Sequence, residues 1–503
     1  MPDRELRSAL SALVGLSAAL AACAPAAPPV LPSPRPAAAL LVDSIVATPP
    51  LDRTHWGILV HDAAAGERLL EHNAEHHFIP ASNTKLVVAA VALGELGPAY
   101  RYETRLWALP GEADTIAASL VIVASGDPTF SARFLPDDFA ALDSLAAAAA
   151  TAGIRRVTGD LIIDASAFDD VRVHSAWEVG DLPWSYAPPV GAFAIGEGTF
   201  RVVRAPGHAV GAAGSVTVIG GDHLQPLSAS VVTDTAGAPV QWRSQYTARR
   251  DTVFIEGRLP LDAPPDTVRL AVTDPVGYAG RAFATALARR GIVVDGGISI
   301  VRDSAEGIGL RTRARGSDRL LAARASPPLS EIVAAILQPS QNWIAEQLLK
   351  TLGAVRAGQG SWQTGLDVER RYLIDTVGID SLAFSLRDAS GLSAQNLLTP
   401  SAIVRLLEHA RAAPWGGDFR RALAAPGLDG STLASRLEGL EGRVQAKTGT
   451  ISNVNTLSGF VTTDGGRELT FSILTNGTGL PASAIRTAVD RLVEALARHG
   501  GPR

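Results

Sequence analysis

The stretch of residues 442–477 constrains the fold of this chain more than any other part of its sequence. It reads GRVQAKTGTISNVNTLSGFVTTDGGRELTFSILTNG and predicts three successive antiparallel strands, with Asp464-Gly465-Gly466 as a hairpin turn. The tripeptide Lys447-Thr448-Gly449 is expected at the end of the first strand. A final amphipathic helix is predicted next, with the following apolar residues on one side: Ile485, Val489, Leu492, Val493 and Leu496. The C-terminal part of the chain is therefore expected to form an antiparallel sheet accompanied by a helix.

The N-terminus has the features of an export signal. Arg4 and Arg7 precede an uncharged run, residues 8–22, which ends just before Cys23, the only cysteine of the chain. The sequence Leu20-Ala21-Ala22-Cys23 resembles the bacterial lipobox, in which the cysteine is diacylated and becomes the new N-terminus. Residues 24–40 contain six prolines and one charge, so we expect an extended tether. The predicted product is a cell-envelope protein, lipid-anchored at Cys23 and facing the periplasm; a soluble periplasmic or secreted protein is the alternative.

Two possible catalytic centres lie close together after the first predicted strands. His72-Asn73-Ala74-Glu75-His76 matches H-x-x-E-H, a zinc-peptidase pattern that requires both histidines on one face of a helix. The flanking sequence opposes that helix, because HWGILVHD (55–62) and ERLLEHN (67–73) predict a hairpin. Ile79 precedes Pro80 and is biased away from helical conformation. We therefore interpret the pentapeptide as a solvated polar loop and expect no metal site.

The second centre is Ser82-Asn83-Thr84-Lys85, which matches S-x-x-K. Pro80-Ala81-Ser82 is expected to open a helix, and the nearly continuous apolar run from Lys85 to Leu93 predicts that this helix is buried. Residues three positions apart share a helix face, so the amine of Lys85 can reach the hydroxyl of Ser82. The start of a buried helix also offers a backbone N–H for a developing oxyanion.

Further motifs that accompany S-x-x-K in a known family of serine enzymes lie downstream of Lys85. A helix is predicted from about Ser330 to Pro339, and Ser340-Gln341-Asn342 should lie in the short connection before a second helix near Trp343. S-x-x-K, S-x-N and K-T-G in this order form a pattern that resembles the penicillin-binding proteins and serine β-lactamases. Three more segments resemble the D-alanyl-D-alanine carboxypeptidase/endopeptidase branch of low-molecular-mass penicillin-binding proteins: GDPTF (126–130), DASGLS (388–393) and GLDGSTLASRLEG (427–439). The likeness extends from about residue 50 to the C-terminus.

The resemblance implies an α+β fold in which a penicillin-binding protein/β-lactamase-like domain, an antiparallel sheet packed with helices, is split by a large mixed α/β insertion. The long separation between Ser82 and Ser340 agrees with such an insertion. Asp127, His174 and Trp184 lie within it and are interpreted as turn and packing residues. The expected division of the chain is as follows: signal peptide 1–22, lipid-anchored tether 23–40, catalytic domain 41–104, insertion 105–310 and the rest of the catalytic domain 311–503.

The resemblance also implies a role for each matched residue. Ser82 would attack the carbonyl between two D-alanines and form an acyl-enzyme. Lys85 would be the general base, with its pKa lowered by burial and by the positive charge of Lys447. Ser340 would relay a proton to the leaving amine. The residues expected to bind substrate are Asn342, for an amide side chain, and Lys447 and Thr448, for the terminal carboxylate. Gly449 and Thr450 complete this set, and the backbone N–H groups of Ser82 and Thr450 would form the oxyanion hole.

The implied function is that of a serine DD-peptidase which cleaves the D-alanyl-D-alanine bond, or the D-alanyl-meso-diaminopimelyl cross-link, of peptidoglycan stem peptides. It would need no cofactor, and β-lactams would be inhibitors. A serine β-lactamase is one alternative, but the class A motif E-x-x-L-N is absent between Lys85 and Ser340, and class C enzymes have Y-x-N where this chain has Ser340. A non-catalytic β-lactam- or peptidoglycan-binding lipoprotein would be expected to lose the two lysines. A net charge of −5 gives no sign of nucleic-acid binding.

Overall fold

The structure, a computed structural model, describes residues 37–246 and 251–499. The predicted signal peptide, Cys23 and the tether as far as Pro36 lie outside the described residues. The last four residues of the predicted tether, 37–40, are helical rather than extended, because they begin a helix whose later residues Val42 and Ile45 are buried against the C-terminal helix. No helix in the described part of the chain is both long and apolar enough to cross a membrane.

The helices follow one another in this order: α1 (Ala37–Val46), α2 (Lys85–Leu96), α3 (Ala140–Thr151), α4 (Pro275–Arg289), α5 (Ser304–Gly316), α6 (Leu329–Leu337), α7 (Asn342–Ala357), α8 (Trp362–Arg371), α9 (Pro400–Ala412), α10 (Gly416–Ala422) and α11 (Ala482–His499). The strands are β1 (His55–Asp62), β2 (Glu67–His72), β3 (Glu103–Ala113), β4 (Ile116–Val123), β5 (Arg156–Val157), β6 (Leu161–Asp164), β7 (Thr199–Ala205), β8 (Ser215–Val218), β9 (Leu227–Asp234), β10 (Gln241–Tyr246), β11 (Val253–Pro260), β12 (Asp266–Ala271), β13 (Val293–Val294), β14 (Ile298–Val301), β15 (Leu320–Ala325), β16 (Phe384–Ser385), β17 (Leu397–Leu398), β18 (Val444–Ile451), β19 (Val454–Thr462) and β20 (Glu468–Asn476).

A five-stranded antiparallel sheet joins the two ends of the described chain, in the order β18-β19-β20-β1-β2. The three strands β18 to β20 and the hairpin turn between β19 and β20 confirm the prediction for residues 442–477. Alternate residues of the sheet, such as Leu457 and Val461, pack with α1 and α11 on one face. The apolar side of α11 that the sequence predicted is buried there, from Ile485 to Leu496.

The other face of the sheet is covered by helices, with α9 against β1 and β20. Beyond α9, as seen from the sheet, lies α2, which packs with α6, α7 and α9. Every residue of α2 from Lys85 to Leu93 is buried, as its uninterrupted apolar sequence predicts. The start of α2 therefore lies between the sheet and the α6–α7 pair.

The residues between β3 and β15 form sheets of their own. A mixed seven-stranded sheet contains β3 to β6 and β13 to β15, and two three-stranded sheets contain β7 to β12. The predicted insertion boundaries, 104/105 and 310/311, fall within β3 and α5. The division of the chain into domains stays a prediction.

Candidate active site

Ser82 lies in a short 3-10 turn, Ala81–Thr84, and α2 begins only at Lys85. The predicted helix therefore starts one turn later than expected. The residue before the serine, Ala81, has a φ of 45°, a conformation that non-glycine residues adopt at a cost. Tertiary hydrogen bonds hold the turn in place, because the buried side chain of Asn83 donates to the carbonyl of Lys447 at 3.2 Å and Thr456 Oγ1 donates to the carbonyl of Pro80 at 3.0 Å.

The amine of Lys85 is fully buried at the base of this turn. Its Nζ lies 2.8 Å from Ser82 Oγ, and it donates to Asn342 Oδ1 and to the carbonyl of Ser390, each at 2.6 Å. Burial lowers the pKa of Lys85 to about 7, while the negative charges of Asp388 and Glu346 act in the opposite direction. An appreciable fraction of this amine is therefore neutral at neutral pH and able to accept a proton.

Ser340 lies in the connection between α6 and α7, and Asn342, the first residue of α7, contacts the amine of Lys85. Ser340 has a φ of 64°, and the side chain of Gln341 caps α7 by accepting the N–H of Ile344 at 3.1 Å. Ser340 and Gln341 lie in the predicted connection after Pro339, and α7 begins at Asn342, one residue earlier than expected. The Asn342 side chain also donates from Nδ2 to the carbonyl of Tyr186 at 2.7 Å, so the protein engages both ends of this amide.

Lys447 lies in the middle of β18 rather than at its end, because the strand continues to Ile451. Its amine is fully buried and donates to Ser340 Oγ at 2.8 Å and to the carbonyl of Thr448 at 2.7 Å. Burial lowers the pKa of Lys447 well below its usual value, and the positive charge of Lys85 adds to this effect. Each serine therefore contacts a different lysine: Ser82 contacts Lys85, and Ser340 contacts Lys447.

The glycine of the K-T-G motif permits a close approach between β18 and the serine turn. A Cβ atom at Gly449 would lie 2.2 Å from Thr456 Oγ1 and 2.9 Å from the backbone nitrogen of Ser82. A residue with a side chain would therefore push the strand away from the serine. The neighbouring Thr448 donates its hydroxyl to Thr432 Oγ1 at 2.8 Å, which links the strand to the GLDGSTLASRLEG segment.

Four of the eight predicted catalytic and substrate-binding residues border a cleft of about 390 Å³, whereas Lys85, Lys447, Thr448 and Gly449 lie behind its lining. Its lining includes Ser82, Ser340, Asn342 and Thr450, together with Gly391 and Leu392 of the DASGLS segment and four residues that the sequence did not indicate: Asp181, Tyr186, Ile451 and Ser452. Asp181 and Tyr186 belong to the segment between β6 and β7, and the Tyr186 hydroxyl donates to Asp181 Oδ1 at 2.8 Å. No sequence pattern identifies them, because only the folded chain brings this segment to the serine.

The DASGLS segment also contributes to the site, although its resemblance carried no assigned role. Asp388, Ala389 and Ser390 are fully buried, and the carbonyl of Ser390 accepts a hydrogen bond from Lys85. Gly391 follows with a φ of 76°, and a Cβ atom there would lie 1.8 Å from the carbonyl oxygen of Ala81. The glycine therefore lets this segment pack directly on the turn that carries Ser82.

The histidine pentapeptide has a different environment. β1 and β2 form the predicted hairpin, His72 ends β2, and residues 73–76 form a bend and turn rather than a helix. Glu75 accepts hydrogen bonds from Arg68 at 2.9 Å and from Ser401 at 2.6 Å. Within residues 37–246 and 251–499, no group of three or more histidine, cysteine or acidic side chains is arranged to hold a metal ion.

Comparison with known proteins connects this site to one family. Residues 38–499 match the model of the D-Ala-D-Ala carboxypeptidase 3 (S13) family. The chain is 34% identical over 475 residues to the D-alanyl-D-alanine carboxypeptidase of Actinomadura sp., covering 92% of this chain and 85% of the relative. It is 23% identical over 427 residues to the D-alanyl-D-alanine carboxypeptidase DacB of Haemophilus influenzae, covering 84% and 85%. The crystal structure of penicillin binding protein 4 from Haemophilus influenzae has the same fold, with a TM-score of 0.78, 22% identity and coverage of 91% of this chain and 99% of that one.

Proposed function

The chain belongs to the D-Ala-D-Ala carboxypeptidase 3 (S13) family and is a serine-type D-Ala-D-Ala peptidase, and we propose that Ser82 is its nucleophile. The observation that carries this proposal is the 2.8 Å separation between Lys85 Nζ and Ser82 Oγ at the border of the cleft. Nucleophilic serine catalysis requires such an adjacent base, and the lowered pKa of Lys85 supports that role.

In the acylation step, Ser82 Oγ attacks the carbonyl carbon between the two D-alanine residues while its proton passes to the neutral amine of Lys85. Backbone N–H groups of Ser82 and Thr450 would stabilise the oxyanion. The close approach of Gly449 to the Ser82 nitrogen supports this assignment, since it brings β18 beside the serine. Collapse of the tetrahedral intermediate breaks the C–N bond and leaves an ester on Ser82.

The leaving amine of the terminal D-alanine must gain a proton when the C–N bond breaks. Ser340 borders the cleft and would relay to the amine the proton that Lys85 accepted from Ser82, which returns Lys85 to its neutral form; the hydrogen bond from Lys447 to Ser340 supports this role. Lys447 and Thr448 would bind the terminal carboxylate. Water then attacks the ester and releases the shortened peptide, which restores Ser82.

The substrate class follows from the bond that is cleaved. We infer that the enzyme acts on peptidoglycan stem peptides, at the terminal D-alanine and at the D-alanyl-meso-diaminopimelyl cross-link, and that penicillin acylates Ser82. Penicillin also presents a reactive carbonyl and a carboxylate to the same groups. Residues 105–310 would be an insertion into the catalytic domain formed by 41–104 and 311–503; the separate sheets between β3 and β15 support this division.

Isolated peptidoglycan tests the substrate assignment. We expect the enzyme to release free D-alanine from pentapeptides and to convert cross-linked dimers into monomers, both measured by chromatography of the digested muropeptides. Protein in which Ser82 has been acylated by penicillin serves as the blank. Release of D-alanine without loss of dimers would restrict the activity to carboxypeptidation, and absence of both reactions would contradict the proposal.

We further propose that Cys23 carries a lipid anchor which holds the enzyme in the cell envelope, facing the periplasm. The sequence Leu20-Ala21-Ala22-Cys23 after an uncharged run supports this localisation. Changing Cys23 to alanine should move the protein from the membrane fraction to the soluble fraction, because acylation would be lost, while the specific activity stays unchanged. The matched variant Pro25→Ala should remain in the membrane fraction. Membrane association of Cys23→Ala equal to that of the wild type would contradict the anchor.

A further inference from the structure

One face of α7 positions the amine of Lys85 in two ways, directly through Asn342 and indirectly through Glu346. Asn342 and Glu346 are four residues apart and therefore share this face. Asn342 Oδ1 accepts a hydrogen bond from Lys85 directly, whereas the fully buried Glu346 lies one turn deeper and acts on the DASGLS segment. Its Oε1 accepts the N–H of Ser390 at 2.7 Å, and its Oε2 accepts the N–H of Ala389 at 3.3 Å. Glu346 thus holds the backbone whose next carbonyl receives the Lys85 amine.

The position of that carbonyl matters because a neutral amine has two N–H groups and one lone pair. The carbonyl of Ser390 and Asn342 Oδ1, each 2.6 Å from Lys85 Nζ, can accept both N–H groups. The lone pair then points towards the remaining neighbour, Ser82 Oγ, at 2.8 Å. If the Ser390 carbonyl moved, the amine would be free to rotate and its lone pair would no longer face the hydroxyl proton.

The segment is fixed from its other side as well. Asp388 Oδ1 accepts the N–H of Gly391 at 2.9 Å, and Asp388 Oδ2 accepts the N–H of Ser393 at 2.8 Å. The indole N–H of Trp177 donates to Asp388 Oδ2 at 2.9 Å, as that of Trp362 does to Glu346 Oε2 at 2.7 Å. Both carboxylates therefore have several hydrogen-bond donors, and each anchors one end of the same short turn.

We propose that Glu346 is a positioning residue for acylation: its carboxylate fixes the Ser390 carbonyl and thereby orients the amine of Lys85 towards Ser82. This inference rests on the proposed role of Lys85 as general base. Glu346 is not part of the cleft lining and does not contact the substrate site. Its effect should therefore fall on the rate of acylation and not on substrate binding.

The charges around Glu346 also connect it to the protonation of Lys85. Four ionisable side chains act on Glu346 or are acted on by it: Lys85 on α2, Lys350 on α7, Glu369 on α8 and Asp388. Burial and the charge of Asp388 raise the pKa of Glu346 to about 7, against the effect of its hydrogen-bond donors. The negative charge of Glu346 in turn raises the pKa of Lys85, so removing that charge should lower the pKa of Lys85.

The variant Glu346→Gln tests the proposal. Its amide oxygen can still accept from Ser390, but its NH2 group would face the N–H donors of Ala389 and Trp362. We expect acylation by a fluorescent penicillin, and kcat on a D-Ala-D-Ala peptide, to fall roughly tenfold to a hundredfold because the amine is misplaced. KM should change little. The acid-side midpoint of the pH profile of acylation should move to lower pH.

Glu369→Gln is the matched control, since it makes the same chemical change within the same buried group of carboxyls. Burial raises the pKa of Glu369 well above its usual value, which favours the neutral form of this carboxyl. Neither of its carboxyl oxygens has a hydrogen-bond partner among the described residues. Its replacement should leave the acylation rate within about threefold of the wild type and the pH midpoint unmoved.

The outcomes separate this inference from the function on which it rests. If penicillin does not acylate the wild type, the general-base assignment fails. If the wild type is acylated but Glu346→Gln shows an unmoved pH midpoint, or a loss confined to KM or to the folded fraction, Glu346 is only a structural residue. If Glu346→Gln does not fold, the variant Trp362→Phe is tested in its place. It removes one hydrogen-bond donor to Glu346, which raises the pKa of Glu346, weakens its negative charge and should move the acylation midpoint to lower pH. An unmoved midpoint in this variant would overturn the proposal.

Discussion

Replacing Lys85 by methionine should lower the rate at which penicillin or a D-Ala-D-Ala peptide acylates Ser82 by roughly 10²- to 10⁴-fold, the usual contribution of a positioned base. Methionine keeps most of the side-chain volume in this fully buried position and removes only the amine. The hydroxyl of Ser82 would then lack the group that lies 2.8 Å away and accepts its proton. Stopped-flow acylation with a fluorescent penicillin measures the rate directly.

The pH dependence of the wild type provides the second part of this test. Burial lowers the pKa of Lys85 to about 7, and the base works only in its neutral form, which predominates above that pH. The acylation rate should therefore rise as the pH is raised through about 7 and then level off. The residual rate of Lys85→Met should lack this rise.

Folding is the necessary control for this variant, because Ser82, Asn342 and Ser390 all lose a hydrogen-bond partner. Its thermal unfolding midpoint and circular dichroism are compared with those of the wild type before rates are interpreted. A folded variant that is acylated within tenfold of the wild-type rate would show that another group removes the serine proton.

Local sequence patterns predicted the parts of this molecule that depend on short-range chemistry. The Asp464-Gly465-Gly466 turn determines the hairpin of β19 and β20, and Pro339 ends the helix before Ser340. The same kind of evidence opposed a helix at the histidine pentapeptide, and β1 and β2 form the expected hairpin. In each case one or two residues with unusual backbone preferences, glycine in the turn and proline at the other two sites, favour the observed local structure.

Features that depend on distant segments were not predicted in the same detail. The start of α2 at Lys85 depends on hydrogen bonds from Asn83 and Thr456 that join the serine turn to β18 and β19. The contribution of Tyr186 to the cleft likewise requires the folded segment between β6 and β7. The support of the Ser390 backbone by Glu346 is equally a contact between distant parts of the chain.

The electrostatics of the two lysines were predicted in part. Burial was expected to lower the pKa of Lys85, and it is the largest cause of the shift. The charge of Lys447, which was expected to lower the pKa of Lys85 as well, is not among the causes of that shift; instead, the charge of Lys85 lowers the pKa of Lys447. The buried carboxylates of Asp388 and Glu346, which sequence analysis had not connected to the amine, oppose the shift at Lys85. Their effect could not be predicted without knowing which helix faces Lys85.

Replacing Lys447 by alanine should lower kcat/KM on D-Ala-D-Ala peptides by roughly tenfold to several hundredfold, since a charge-assisted hydrogen bond typically contributes about 1.5–3 kcal/mol. The terminal carboxylate must be held so that the neighbouring carbonyl lies over Ser82. Lys447 is fully buried, and its amine donates to Ser340 and to the carbonyl of Thr448. A bound carboxylate would favour the protonated form of this lysine, whose pKa burial otherwise lowers.

An ester substrate without a terminal carboxylate separates carboxylate binding from effects on the catalytic groups. If Lys447 acts mainly on the carboxylate, Lys447→Ala should keep most of the wild-type rate on the ester, while the peptide and penicillin are slowed alike. If Lys447 acts mainly by adjusting Lys85 or Ser340, the ester should be slowed as much as the peptide. Because Ser340 is the direct partner of Lys447, the variant Ser340→Ala distinguishes those two routes: its ester rate should match that of Lys447→Ala only if Ser340 carries the effect. Wild-type rates of Lys447→Ala on both peptide and penicillin would show that this lysine does not anchor the carboxylate.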